Sequence, residues 1–218
     1  MIRLLARLFA VWLLHCQFHC AYAADTNRLA HRTVLVLGDS LAAGYGVDPS
    51  EAFPALLQKR MDAAGLPFAV INAGVSGDTT AGGLRRLDWL LRRPAEVVLL
   101  ELGGNDGLRG LALEQTRTNL VTLIRKTREK NATTQIVLAG MQIPTNMGPD
   151  YANGFRALFP EIAKSEGAVL IPFLLEGVGG VAELNQADQI HPTARGHELV
   201  ASNVWVVLEP VLRKSPAR

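Results

Sequence analysis

Val34-Leu35-Val36-Leu37 and Val97-Val98-Leu99-Leu100 carry apolar side chains at every position rather than at alternate ones. A strand with one wet face alternates apolar and polar residues; a strand that does not must be covered on both faces. Phe68 to Ile71, Ile136 to Ala139 and Ala168 to Ile171 read as further strands of the same kind, and Val97 to Leu102 extends the third. Between them the apolar period changes to that of a helix. Phe53, Leu56, Leu57 and Met61 form one stripe, and Leu84, Leu87, Leu90 and Leu91 form another behind a cap at Thr79 or Thr80. Leu113 to Lys130 is a long amphipathic segment with its basic residues near its end, where they complement the helix dipole. Phe155 to Ser165 is expected to be helical, and Pro192 or Thr193 opens a last helix through Leu212. Strands alternating with helices imply right-handed crossovers and one doubly wound parallel sheet with helices on both faces. Met141 to Tyr151 and Leu174 to Gln189 read as the long irregular loops, where function tends to collect.

The first 23 residues follow another logic. Arg3 and Arg7 precede a short apolar stretch, Leu8 to Leu14, and Ala21-Tyr22-Ala23 closes the segment. A basic start, a greasy middle too short to span a bilayer and an A-x-A end describe a secretory signal peptide cleaved after Ala23. The competing readings are a retained anchor and a lipoprotein; Cys16 and Cys20 each follow a histidine where a lipoprotein wants a small residue. The domain is then 24–218, in the periplasm or secreted, with no integral membrane segment after cleavage. The whole chain has 22 Lys and Arg against 20 Asp and Glu, and the leader removes two arginines and no acid. The remainder is balanced, which gives no footprint for nucleic acid or an anionic surface. Both cysteines leave with the leader, so the mature chain has no disulfide, thiol nucleophile or cysteine metal site. Three scattered histidines, His31, His191 and His197, argue against zinc.

Polar clusters follow the apolar runs. Gly38-Asp39-Ser40 follows the first, Asn72 to Asp78 the second, Gly103-Gly104-Asn105-Asp106 the third, and Asp188-Gln189-Ile190-His191 precedes the last helix. In a parallel sheet whatever follows each strand arrives at one edge, the edge where open α/β sheets bind ligands. Ser40 is the candidate nucleophile, although Asp and Ser between a strand and a helix are more often caps. A hydroxyl needs a base. His191 is the candidate, with Asp188 three residues before it and able to fold back onto the imidazole. Asn105, through its side-chain NH₂, Gly77, through an N–H with no Cβ in the way, and the Ser40 N–H are candidate donors to an oxyanion. The ordinary readings of Gly103 to Asp106 and of Gly77 are turns. Gly74 to Asp78 nearly spells a G-x-S-x-G elbow but ends in Asp, which rules out Ser76. Gly177 to Ala182 fits G-x-G-x-x-A in the wrong place for a dinucleotide.

GDSL at 38–41, SGDT at 76–79, GGND at 103–106 and DQIH at 188–191 together resemble the four blocks of the SGNH, or GDSL, hydrolase family. ELGGNDGLRG at 101–110 and GDSLAAGYG at 38–46 are most similar to its bacterial thioesterase I/lysophospholipase L1/arylesterase branch. The resemblance implies a flavodoxin-like α/β/α sandwich around a five-stranded parallel sheet, and a serine esterase without metal or cofactor. It implies Ser40 as nucleophile, His191 as base, Asp188 as its orienting acid, and Ser40, Gly77 and Asn105 as the oxyanion hole. Gln189 stands where that branch often has glycine and is expected to take an ordinary backbone conformation. Met141, Ile143, Met147 and Tyr151 make the loop after the fourth strand oily, which favours acyl or aryl esters and thioesters as the small-molecule partner of a monomer. The alternatives are a carbohydrate O-acetyl esterase of the same family and a non-catalytic lipid- or carbohydrate-binding relative.

Overall fold

The computed structural model describes residues 32–215. The leader read at 1–23, the lead-in 24–31 with His31, and 216–218 lie outside the described residues. Five strands form one parallel sheet in the order β2-β1-β3-β4-β5. They are β1 (Arg32–Gly38), β2 (Phe68–Gly74), β3 (Val97–Glu101), β4 (Gln135–Ala139) and β5 (Val169–Ile171). Val34 to Leu37 and Val97 to Leu100 are all buried, as their unbroken apolar runs require. β2 is an edge strand, and its middle residues Ile71 and Asn72 are exposed. It runs three residues beyond the apolar stretch that marks it in the sequence, because polar Asn72 sits comfortably on an open edge.

Seven α-helices lie among the described residues: α1 (Ser40–Ala43), α2 (Phe53–Ala63), α3 (Thr80–Leu90), α4 (Gly104–Leu108), α5 (Leu113–Lys130), α6 (Pro149–Glu166) and α7 (Ala194–Lys214). α2 packs on α7, while α3, α5 and α6 pack side by side. The sheet order explains this grouping. The chain steps outward from β1 to β2, then back past β1 to β3, so right-handed crossovers put α2 on one face and α3, α5 and α6 on the other. The core joins both faces through Phe53, Leu57 and Met61 of α2, Leu120 and Leu123 of α5, and Phe155 and Phe159 of α6. No helix among the described residues is long and apolar enough to cross a membrane.

Two segments differ from the sequence reading, and one helix start is decided between its two expected residues. The segment 141–151 is not irregular throughout: Thr145–Met147 forms a 3₁₀ turn and α6 begins at Pro149, not Phe155. Proline is well suited to a first helical turn, where its missing N–H has no partner to lose. The loop 174–189 is ordered by turns and contains a 3₁₀ turn at Ala182–Leu184. Thr193, not Pro192, caps α7, its side chain accepting the Gly196 N–H.

His197, on α7, is buried, with 1% of its surface exposed. Ala52 cannot cap α2 with a side chain, and His197 Nδ1 accepts the Phe53 N–H instead at 3.3 Å. Burial, with a smaller contribution from His191, pushes its pKa down from 6.5 to about 4. The unfolded chain binds a proton here that the folded chain refuses. Stability from this residue is therefore intact above about 6.5 and falls as pH drops toward about 4. In His197→Asn the amide oxygen replaces Nδ1 as acceptor without titrating. Thermal melts between pH 7 and 4.5 are expected to show a shallower acid loss in this variant; parallel losses in both proteins would refute the assignment.

Candidate active site

The order 2-1-3-4-5 reverses direction between β1 and β3, and the crevice outside a reversal point is where doubly wound sheets receive ligands. Gly38 ends β1 in register with Glu101 at the end of β3. Asp39-Ser40 and Gly104-Asn105 therefore leave the sheet side by side. The capping role in this turn falls to Asp39 and not to Ser40. Asp39 is the N-cap of α1, its Oδ1 accepting the Leu41 N–H at 3.0 Å, and Ser40 is the first helical residue.

Ser40 Oγ lies 2.9 Å from His191 Nε2, and His191 Nδ1 lies 2.7 Å from Asp188 Oδ2. The other Asp188 oxygen accepts the backbone N–H groups of Ile190 at 2.9 Å and His191 at 3.0 Å. These bonds to His191 and Ile190 hold the Asp188 carboxyl down at about 2, so it is ionised throughout the neutral range. Gln189, expected in an ordinary conformation, has φ +58°. This left-handed residue turns the chain back so that both following N–H groups reach Asp188, a conformation that strains any side chain with a Cβ.

Gln186 holds this hairpin to the serine turn. Its backbone N–H donates to His191 O at 2.7 Å, and its side-chain Nε2 donates to Tyr45 O at 2.7 Å and Pro192 O at 3.0 Å. Tyr45 sits against the imidazole with ring centroids 4.6 Å apart. Neither residue carries a sequence signal, since each works through backbone carbonyls or ring contact.

Asn105 donates one side-chain N–H to Asp39 Oδ2 at 3.1 Å, leaving its second for a ligand in the cavity it lines. Asp106 beside it is buried, taking the Thr80 N–H at 2.9 Å and the Thr80 hydroxyl at 2.5 Å, so α4 is pinned to the start of α3. Gly77, at φ +78°, lies in the turn after β2. Its carbonyl accepts from Arg109 at 2.9 Å. Arg86 gathers the neighbouring strand exits, donating to Gly38 O at 2.9 Å and to Asp78 at 2.8 Å.

Beneath this turn lies Glu101, fully buried, its Oε2 accepting the N–H groups of Asp39 and Ala42, both at 3.1 Å. Burial pushes Asp39 up to about 6, against the pull of Leu41, Asn105 and Glu101 hydrogen bonds. Burial and the Asp39 charge push Glu101 well above the carboxylate range. A signal for Glu101 was present in the sequence: it is the one charge between four apolar residues and Leu102.

A cavity of about 520 Å³ opens beside Ser40 and His191, within the size range of small-ligand sites. Leu41, Leu108, Ile143, Phe173 and Leu175 supply much of its wall, and Met141 contributes as well. Met147 and Tyr151, expected in the same wall, are elsewhere. The Tyr151 hydroxyl donates to Leu111 O at 2.6 Å, and Met147 lies against Gly110. Starting α6 at Pro149 puts Tyr151 on the first turn of a helix, which takes it away from the cavity.

Residues 36–199 match the GDSL-like lipase/acylhydrolase family. Esterase TesA of Pseudomonas aeruginosa is 46% identical over 189 residues, covering 86% of this chain and 92% of that protein. Thioesterase 1/protease 1/lysophospholipase L1 of Escherichia coli K12 is 38% identical over 181 residues, 83% of this chain and 85% of its own length. The crystal structure of the psychrotrophic esterase EstA from a Pseudoalteromonas species, inhibited by monoethylphosphonate, superposes with a TM-score of 0.77 at 36% identity, covering 84% of this chain and 100% of that one. The chain belongs to the GDSL-like lipase/acylhydrolase family and is an ester-bond hydrolase.

Proposed function

We propose that this hydrolase cleaves carboxylic esters and thioesters of acyl groups through an acyl-enzyme on Ser40. The observation that carries the reading is the unbroken line of bonds from Asp188 through His191 to Ser40 Oγ, at 2.7 and 2.9 Å. In the first half-reaction Ser40 Oγ attacks the acyl carbon while His191 Nε2 takes its proton. Asp188, ionised, balances the imidazolium and keeps the ring turned toward serine. The carbonyl oxygen becomes an oxyanion that accepts from the Asn105 side chain, with the Ser40 and Gly77 amides as further donors. The oxyanion collapses, and the departing alkoxide or thiolate takes the proton from His191. Water then repeats the cycle on the acyl-serine. No step asks for a metal or an organic cofactor.

The apolar wall of Leu41, Leu108, Met141, Ile143, Phe173 and Leu175 favours acyl or aryl groups over acetylated sugars, whose recognition needs several fixed polar partners. Gln142 and Gln189 are polar members of the same wall.

Ser40→Ala is expected to abolish turnover, and a serine-directed phosphonate to inactivate the wild type with one label per chain; retained turnover in Ser40→Ala, or a label elsewhere, overturns the reading. Asn105→Ala is expected to lower kcat on the order of 10²-fold, as for other single oxyanion donors. A loss confined to KM would make Asn105 a binding residue only. Initial rates on p-nitrophenyl esters of graded length, a lysophospholipid and an acyl-CoA are expected to rise with acyl length beyond acetyl, and a maximum at acetyl would favour the sugar-ester alternative.

Export through residues 1–23 belongs to the same proposal, supported by the three-part leader. Amino-terminal sequencing of the protein recovered outside the cytoplasm is expected to begin at Ala24, and an intact Met1 there would exclude cleavage.

A further inference from the structure

We propose that Gln186 is a positioning residue: its side-chain amide fastens the hairpin that carries Asp188 and His191 to the loop behind Ser40, and so fixes the separation across which the serine proton passes to the imidazole. This rests on the reading of Ser40 and His191 given above and adds to it a residue that acts on the base through backbone carbonyls.

The need for such a residue follows from distances along the chain. Asp188 stands three positions before His191, and the two meet within one hairpin. Three contacts close it: the Gln186 N–H on His191 O at 2.7 Å, the Gln189 N–H on Gln186 O at 2.9 Å, and the antiparallel bridge between Asn185 and Pro192. Ser40 stands 151 positions from His191 on another element, so their 2.9 Å contact depends on how the whole hairpin is seated. Apolar burial does not seat its tip, where Ile190 is 43% exposed. Asn185 moors the base of the hairpin, its side-chain NH₂ donating to Val178 O at 2.6 Å and Val181 O at 2.8 Å, but both partners belong to the preceding loop and neither reaches the serine. Among the described residues, two hydrogen bonds cross from the hairpin to residues 39–46. One is the contact between His191 and Ser40, and the other runs from Gln186 Nε2 to Tyr45 O at 2.7 Å.

Both donors of the amide are used. One goes to Tyr45 O and the other to Pro192 O at 3.0 Å, so a single group grips the serine loop and the returning arm of the hairpin. Tyr45 in turn donates its N–H to Ser40 O at 3.0 Å, and its ring lies against the imidazole. The path from the hairpin of the base to the carbonyl of the nucleophile is thus two hydrogen bonds long. The loop is shaped to admit the amide. Gly46 has φ +78°, and a Cβ there would lie 2.1 Å from Gln186 Oε1 and 2.8 Å from Nε2. Glycine at 46 therefore serves both the left-handed turn and the close approach of the amide.

Turnover of a soluble p-nitrophenyl ester tests this in two variants. Gln186→Met keeps the length of the side chain and loses both donors; Gln186→Glu keeps its shape and turns an acceptor toward both carbonyls. A misplacement of about 1 Å can cost a catalytic group on the order of 10²-fold. Each variant is expected to lower kcat about ten-fold or more with KM within about three-fold. Each is also expected to slow phosphonate labelling of Ser40 by a similar factor, since labelling draws on the same proton transfer. A cycle with His191→Ala, read by labelling rate, separates positioning from support of the fold. Gln186 acts through His191, so adding Gln186→Met to His191→Ala is expected to slow labelling less than about two-fold further. The assignment is overturned if either variant keeps the wild-type kcat, if the loss lies in KM alone, or if Gln186→Met slows His191→Ala by the full factor it costs the wild type. Should Gln186→Met not fold by circular dichroism, Gln186→Glu takes its place in each comparison; failure of both to fold makes Gln186 a stability residue and equally overturns the assignment. Turnover in Ser40→Ala sinks the reading beneath, whereas a dead Ser40→Ala beside unaltered Gln186 variants sinks this inference alone.

Discussion

Five strands running in one direction deliver their carboxyl ends to a single edge, and Ser40 and Asn105 reach it that way. The direction is a consequence of burial. Strands with no wet face must have helices above and below, and covering both faces requires crossovers that return each strand parallel to the last. Reversal of the strand order between β1 and β3 then opens a crevice at one place on that edge. Ser40 and Asn105 flank it because they follow the two strands on either side.

Within the crevice, short-range polar bonds replace apolar packing as the organising force. Asp188 is held ionised by donors from its own hairpin, in a partly exposed position where water helps to stabilise the charge. Asp39 and Glu101 are held the other way, buried under the serine turn where a charge is hard to sustain. Two carboxyl environments of opposite character thus stand on either side of Ser40. The outer one bonds the His191 ring, and the inner one holds the turn and the Asn105 amide. Thr80, Asp106 and Arg86 tie the neighbouring strand exits together, so the parts have little room to drift apart.

Legibility in the sequence followed the range of the interaction. Strands of unbroken apolar residues were plain at Val34 to Leu37 and Val97 to Leu100, because burial on both faces leaves a local mark. Helix starts were less plain: α6, expected from Phe155, begins at Pro149, and only the structure chose Thr193 over Pro192 as the cap of α7. Ser40, Asp188, His191 and Asn105 were legible because few side chains can do their chemistry and all stood after strands or before the last helix. Met147 and Tyr151 misled, since an oily stretch looks the same whether it lines a cavity or packs elsewhere. Gln189 misled as well; its φ of +58° is imposed by the hairpin that Asp188 and Gln186 close around it.

What the sequence by itself determined was the fold class, the common edge for its polar clusters and the chemical types gathered there. Periodicity and residue chemistry are local properties, and a linear chain records them directly. Only the tertiary structure decided that His191 meets Ser40 across 151 positions, that Gln186 clasps Tyr45, and that Gly38 yields its side-chain volume to Glu101. Those contacts depend on which strands are neighbours and in what register. That pairing is settled by how whole faces pack, and no short stretch of the chain contains it.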